Sequence, residues 1–394
     1  MEWLFLLLPV AAASGWWMAM RSQKRHHPMQ PPPKAPTFFC GLNYLLNEQP
    51  DKAIDVFLQL AQVDHETIET HLALGALFRR RGEVERAIRI HQDLSARSEL
   101  TADQRGVAIY ELGRDYLAAG LFDRAEHLFQ ELAGGQVLRQ AALRGLIDIY
   151  QQEKDWARCL STALQLQSLD CTSIHSEIAQ FHCELAQAAL NRGTLESARQ
   201  HLAAAQQADP DCMRALLLQA QMAFADGDAQ AALQHYHQVA ARSPRYVPAI
   251  LPGLLSCYRR LGYATVASEL ERLFRAQPSP PLMLELSTAL EREQGSSAAR
   301  EFLTAYLAER ADLSGVERLL ALRQPDTQSS DAVVLGVVRY LLALQPVYQC
   351  DQCGFEAQDL HWQCPSCKSW GSLKAVEPLR RDEMGTRSKQ HYIV

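Results

Sequence analysis

Glu111-Leu112-Gly113-Arg114-Asp115-Tyr116, followed by Ala119-Gly120-Leu121-Phe122-Asp123-Arg124-Ala125 and then by Phe129 and Leu132, reads as two short helices folded back on each other. Gly113 has no side chain, so a second helix can approach its backbone closely, and Tyr116 fills the space beside it. The Ala119-Gly120 step ends the first helix. Ala125, Phe129 and Leu132 then recur at helical spacing and build the facing stripe of the second. The stretch is a helix-turn-helix hairpin.

The same columns return along the chain. With the Gly113 column as reference, copies fall at Gly41, Gly75, Gly113, Ile147, Ala186, Ala220 and Leu254, separated by 34, 38, 34, 39, 34 and 34 residues. A second small residue follows in most copies, at Ala53, Ala87, Ala125, Cys159, Ala198 and Ala232. A space-filling side chain often stands one helical turn further on, at Phe57, His91, Phe129, Leu202 and Tyr236, and Pro210, Pro244 and Pro278 close three units. This pattern, over residues 37–278, resembles the tetratricopeptide repeat.

One such hairpin has an apolar face it cannot bury alone, so stacked copies are expected to share a continuous core. They are expected to wind into an all-α, right-handed superhelical solenoid with a concave groove, a surface used for binding rather than chemistry. The resemblance implies that first-helix residues at fixed offsets line that groove: Leu72, Ala76, Arg79 and Arg80, then Tyr110, Arg114 and Leu117, then Gln187 and Asn191, then Gln221 and Phe224. A cluster of Arg79, Arg80 and Arg114 beside Tyr110 suits an acidic or carboxylate-bearing peptide. Solvated arginines are the plainer alternative. Extra residues at Ser95–Asp103 and Ser168–Ser176 lengthen loops without breaking the period.

Beyond Pro278 the columns slip. Residues 279–345 still read as degenerate helical repeats, with one pair at Leu282–Leu290 and Ala298–Leu307, broken at Gln294-Gly295-Ser296-Ser297, and another at Leu313–Leu322 and Ala332–Leu344. A terminal unit must present a different outer face, so such decay is expected. The chain of 394 residues exceeds one ordinary core, but a repeat array escapes that limit because each unit contacts only its neighbours. Its net charge of −6 argues against a nucleic-acid-binding body, since such domains are usually basic.

Residues 1–20 are a different material. Trp3 to Met20 carry no charge, and Arg21, Lys24 and Arg25 follow at once. At helical rise the run reaches about 27 Å, close to the hydrocarbon thickness of a bilayer. A secretory signal is the rival reading, with Ala11–Ser14 mimicking a cleavage site, but its positive charge would precede the apolar run, whereas here the charge follows. The expectation is a retained single-pass transmembrane anchor with the bulk of the chain in the cytoplasm. Residues 21–36 form a basic, proline-rich linker, in which Pro28 to Pro36 should make an extended spacer of roughly 25–30 Å.

The carboxyl end carries the chemistry. Within residues 346–378, Cys350-Asp351-Gln352-Cys353 and Cys364-Pro365-Ser366-Cys367 are two knuckles that can aim four thiolates at one point. Phe355, Trp362 and Trp370 are expected to form an apolar shell over the sulfurs. The segment resembles a rubredoxin-type or zinc-ribbon knuckle holding one tetrathiolate-bound metal ion, iron or zinc. Two disulfides are the alternative, disfavoured by a reducing compartment. Cys40, Cys159, Cys171, Cys183, Cys212 and Cys257 read as small buried hydrophobes. Residues 379–394 are a tail. No phosphate-binding loop, nucleophile elbow, metalloprotease or dinucleotide motif is present, and the scattered histidines lack partners at catalytic spacing, so the chain reads as a non-enzyme.

In order and wording, MEWLFLLLPVAAASGWWMAM, LFRRRGEVERAIRIHQDL, ELGRDYLAAGLFDRAEHLFQEL, YQCDQCGF and HWQCPSCKSW together resemble the lipopolysaccharide assembly protein B family. The proline-rich spacer and the basic tail Arg380–Val394 depart from it without touching these motifs. The resemblance implies an inner-membrane adaptor of Gram-negative bacteria, facing the cytoplasm. It implies a brake on lipopolysaccharide synthesis, promoting degradation of the lipid A pathway deacetylase by the membrane protease FtsH, and a scaffold for other synthesis or assembly proteins. It also implies a ribbon packed against the array around a structural metal. A rubredoxin-like electron-transfer protein with a repeat docking array stays open beside it. A ribbon that binds nucleic acid has only Lys368, Lys374, Arg380 and Arg381 in its favour. Homo-oligomerisation is left open.

Overall fold

The computed structural model describes residues 17, 38–47, 49–63, 68–169, 174–276, 278–323, 330–376 and 379–380. The expected anchor and linker, apart from Trp17, and most of the tail lie outside the described residues. Among the described residues no helix is long and apolar enough to cross a membrane.

Helices follow one another along the chain: α1 (Phe38–Leu46) and α2 (Pro50–Val63), α3 (Ile68–Arg80) and α4 (Val84–Ser95), α5 (Ala102–Ala118) and α6 (Phe122–Gly134), then α7 (Arg139–Glu153) and α8 (Trp156–Gln167). The succession continues through α9 (His175–Asn191) and α10 (Leu195–Ala208), α11 (Met213–Ala225) and α12 (Ala229–Arg242), then α13 (Val247–Arg260) and α14 (Ala267–Ala276). The decayed repeats are α15 (Pro280–Gln294) with α16 (Ser296–Glu309), and α17 (Leu313–Ala321) with α18 (Ser330–Leu344). Their expected break is narrower than the sequence suggested, because Gly295 alone, at φ 94°, turns the chain between α15 and α16. The chain divides within α7 into two compact units, Met1–Ile149 and Tyr150–Val394.

In the first unit the reference column works as a set of seats for rings. A Cβ on Gly41 would lie 2.6 Å from Phe57, and one on Gly113 would lie 2.6 Å from Phe129, so only glycine admits the ring. Gly75 meets the imidazole of His91 in the same way. Phe129 is held from both sides, since a Cβ on Gly145 of α7 would stand 2.7 Å from it. Ala53, Ile54, Phe57, Leu74, Leu77, Phe78 and Ala87 form the buried core beside these seats. Thr101 starts α5 with a reciprocal capping box to Gln104, which satisfies two amides left over at the helix end.

The second unit repeats the logic with larger apolar surfaces. Ala220, Ala232, Tyr236, Ile250, Leu254, Tyr258 and Leu270 share one core across α11–α14. At the expected small position Leu254 is itself fully buried, and it is the neighbouring Gly253 that gives way to Tyr236. Cys159, Cys183, Cys212 and Cys257 are buried as expected; Cys183 and Cys212 lie 3.8 Å apart, sulfur to sulfur. Cys40 is exposed, contrary to expectation, and Cys171 lies outside the described residues. On α18 the side chains of Val333, Val334, Val337, Tyr340 and Leu344 are exposed, an apolar outer face on the last pair.

Candidate metal centre

After α18 the chain builds a small three-stranded antiparallel sheet from β2 (Tyr348–Cys350), β3 (Glu356–Ala357) and β4 (Leu373–Ala375), with β2 in the middle. Two strands outside it, β1 (Arg310–Ala311) and β5 (Leu379–Arg380), pair antiparallel and return the chain to the helices. Pairing Cys350 with Leu373 sets the first knuckle at the end of the central strand. Gly354, at φ 76°, then supplies the left-handed turn that lets its amide reach the carbonyl of Cys350. In the second knuckle the amide of Lys368 bonds back to Cys364, and Lys368 itself holds φ 62°.

The two knuckles converge. Sγ of Cys350 lies 3.7 Å from Sγ of Cys367, Sγ of Cys353 lies 3.7 Å from Sγ of Cys364, and all four sulfurs lie within 4.8 Å of one another. A tetrahedron with metal–sulfur bonds of about 2.3 Å has edges of about 3.8 Å, so the four residues fit a tetrathiolate ion. They do not fit disulfides, whose sulfurs stand about 2.05 Å apart.

The sulfurs are not equivalent. Cys350 and Cys364 are buried, whereas Cys353 and Cys367 are exposed. The Ser372 hydroxyl, 3.3 Å from Sγ of Cys350, together with the amides of Cys353 and Gln352, outweighs burial and holds that thiol down at about 6. Ser369, through hydroxyl and amide, holds Cys367 below its ordinary value. Burial pushes Cys364 up to about 11. A metal ligates thiolates, so loading this site expels the proton that Cys364 would otherwise keep.

The apolar shell differs from expectation. Leu373, Tyr348, Phe355, Ala357 and Leu360 pack around Cys350 and Cys364, so Phe355 is placed as anticipated. The two indoles are turned away, onto the helices. Trp370 meets Trp156 of α8 edge-on at 6.0 Å and Phe181 of α9 at 6.2 Å. Its Nε1–H donates to Oε1 of Gln151 at 3.0 Å, and Nε2 of Gln363 donates to the same oxygen at 2.8 Å. Trp362 lies 5.4 Å from the ring of Tyr246, with the Arg214 guanidinium 5.8 Å over its face. Arg214 is itself held by Glu184 at 2.9 Å. The ribbon is thus seated on the array by two aromatic pegs. Gln151, Trp156, Phe181, Arg214 and Tyr246 were missed in the sequence. The available signal was that a ribbon of some thirty residues is too small to bury two indoles in itself.

The expected groove residues fare unevenly. Leu72 and Tyr110 are half-buried, Arg80, Arg114, Asn191 and Gln221 are exposed, and Asn191 accepts a bond from Gln187. Arg79 is not available to a ligand. Its Nη1 donates to Oδ1 of Asp115 at 2.5 Å and its Nη2 to Oε2 of Glu111 at 2.6 Å, while the other oxygen of Asp115 holds the fully buried His91. Burial alone would raise Glu111, but hydrogen bonds and charge from Arg79 and Arg114 hold it below the ordinary carboxylate range. Of the expected basic cluster, Arg79 and Arg114 are thus answered by Glu111 and Asp115 of α5, while Arg80 stays exposed.

The family model for the rubredoxin metal binding domain matches residues 348–375, and that for the tetratricopeptide repeat matches residues 110–161 and 183–247. Lipopolysaccharide assembly protein B of Escherichia coli strain K12 is 36% identical over 96% of this chain and 99% of its own. Its counterpart from Haemophilus influenzae is 34% identical over 95% of this chain and 98% of its own. Among solved structures, the C-terminal part of a tetratricopeptide repeat-containing protein from Cytophaga hutchinsonii is 13% identical, with a TM-score of 0.41, over 76% of this chain and 98% of that one. A mostly helical repeat array closed by a four-cysteine ribbon, with relatives of this identity matched over nearly their whole length, places the chain in the lipopolysaccharide assembly protein B family.

Proposed function

We propose that this chain is a non-enzymatic adaptor in lipopolysaccharide assembly, anchored in the inner membrane by residues 1–20 with its bulk on the cytoplasmic side. It restrains lipopolysaccharide synthesis by presenting the lipid A pathway deacetylase to the membrane protease FtsH, and it gathers other synthesis or assembly proteins. The name shared by its relatives and the repeat array support an adaptor role in this pathway. The observation that carries the reading is the seat of the ribbon. Trp362 and Trp370 fasten the thiolate cluster to α8, α9 and the turn before α13, so the metal's binding energy stiffens a recognition surface.

Crosslinking in intact membranes, with partners identified by mass spectrometry, tests it. FtsH and the deacetylase are the expected partners, and depletion of the chain should raise deacetylase abundance. Unchanged deacetylase with neither partner recovered would refute the reading. The exposure of Cys353 and Cys367 favours a second one, a rubredoxin-like electron carrier, because it leaves an edge of the cluster open to a redox partner. A coloured ferric centre with a reversible couple required for activity would establish that alternative; full regulation by a colourless zinc form would remove it.

A further inference from the structure

Where the ribbon meets the helices, a recess of about 170 Å³ opens between the turn Pro244–Tyr246 and β4. Arg245 and Lys374 line it from opposite sides, one from the helical array and one from the ribbon, and Ser279 forms part of its wall. The volume is several times the ~30 Å³ that a water molecule takes in the liquid, so a tetrahedral oxyanion fits.

Ser279 carries the argument. It is only 6% exposed, and its hydroxyl has no hydrogen-bond partner among the described residues. It stands at the N-cap of α15, where a serine ordinarily turns its oxygen to an amide two or three residues on. Pro280 and Pro281 occupy the first two helical positions and offer no N–H, and Ser279 makes no side-chain cap bond. A buried hydroxyl that is spent on nothing costs stability, and here it borders a recess flanked by two cations. Lys374 gives one of its three donors to Asp351 at 2.6 Å, which leaves two. Arg245 lies over the Tyr246 ring at 4.9 Å and makes only a long bond, 3.4 Å, to its hydroxyl, so most of its fork is open. Arg245, Lys374 and Asp351 together leave the rim one charge positive, and the positive end of α15 adds to it.

We propose that this recess binds a phosphate group, bridged between Arg245 of the array and Lys374 of the ribbon and receiving a hydrogen bond from Ser279. The proposed adaptor role is not needed for it; the thiolate cluster enters only by folding the strand that carries Lys374. A bound phosphate ties the ribbon to the helices at a third point beside Trp362 and Trp370, so occupancy reports a phosphorylated species to the docking of the metal ribbon.

The test is calorimetric titration of the metal-loaded full-length chain with inorganic phosphate at constant ionic strength, followed by a sugar phosphate and by phosphatidylglycerol vesicles as competitors. Saturable binding is expected, weakened roughly tenfold by Arg245→Gln or Lys374→Gln, as for loss of a charge-assisted hydrogen bond. A severalfold loss is expected for Ser279→Ala, and retention for Lys374→Arg. Thermal melting without phosphate should not fall in any of the four, so that lost binding is not lost folding. Tighter binding of the sugar phosphate identifies a soluble ester as the source, whereas competition by the vesicles alone identifies a lipid headgroup in the same recess. Absence of saturable binding, or equal affinity in the wild type and both charge variants, overturns the proposal.

Discussion

Phe129 and Trp370 are both large aromatic side chains that lock two elements together, and they do it by opposite means. Phe129 is gripped between the glycines of α5 and α7, a backbone-on-ring contact that excludes any side chain at Gly113 or Gly145. Trp370 is met by side chains: the edges of Trp156 and Phe181, and one glutamine oxygen that also serves Gln363. The first contact stabilises a hairpin from within and tolerates no change of shape. The second fastens a separate domain to a surface, and it depends on that domain being folded already, which the thiolates arrange. A repeat array therefore holds itself together by steric exclusion and holds its appendage by a few directional contacts.

Removing the metal should separate the two regions most sharply. Cys364→Ser with Cys367→Ser should forfeit the ion, for which structural zinc sites show apparent binding energies of about 10–16 kcal/mol. Metal stoichiometry should fall to zero and the indole signals of Trp362 and Trp370 should collapse, while far-ultraviolet circular dichroism still reports the helices. A global loss of helix would show that the array leans on the ribbon. Next in size are the pegs themselves, since truncating a buried aromatic costs about 3–5 kcal/mol. Phe129→Ala should spend that on the array, lowering its melting temperature with metal content unchanged. Trp370→Ala should leave the array's melting largely intact and release the ribbon, seen as faster proteolysis after α18. The same response in both variants would erase the distinction.

Acid should weaken the metal's hold on the ribbon. Cys350 is held down at about 6 and Cys364 raised to about 11, so at neutral pH the metal must displace a proton at Cys364 and, as pH falls through about 6, at Cys350 too. Metal affinity should decline by roughly tenfold per displaced proton per pH unit and steepen below that point, measurable by competition with a chelator. A flat profile between pH 8 and 5 would contradict the thiolate assignment. The smallest effect is expected from Gln151→Ala, which removes one acceptor shared by two donors and should cost about 1–3 kcal/mol of ribbon docking, read from proteolysis rates.

Residue spacing explains which parts were legible in advance. Phe129 stands one fixed interval from each of its glycines, and that interval recurs at Gly41 with Phe57 and Gly75 with His91, so the hairpins could be read directly. The four thiolates were readable for the same reason, because each knuckle is local. Trp370 and Gln151 are 219 residues apart, and no period links them. The indoles were accordingly assigned to the sulfurs beside which they lie in the chain. Arg79 was misjudged more narrowly: its offset gave the face it occupies, but not that Glu111 and Asp115, one repeat later, would claim it. Leu254 kept the register while the small residue moved to Gly253, a shift that column counting does not register.

Hydrogen exchange of the metal-loaded chain, before and after chelation, tests most directly whether the thiolate ribbon is fastened to the array through its tryptophans. Chelation should speed exchange within residues 348–375 and also in the first turn of α8 around Trp156 and in the segment Pro244–Val247, with the α3–α6 hairpins unchanged. Faster exchange confined to the ribbon, with Trp156 and Tyr246 as protected as before, would contradict it.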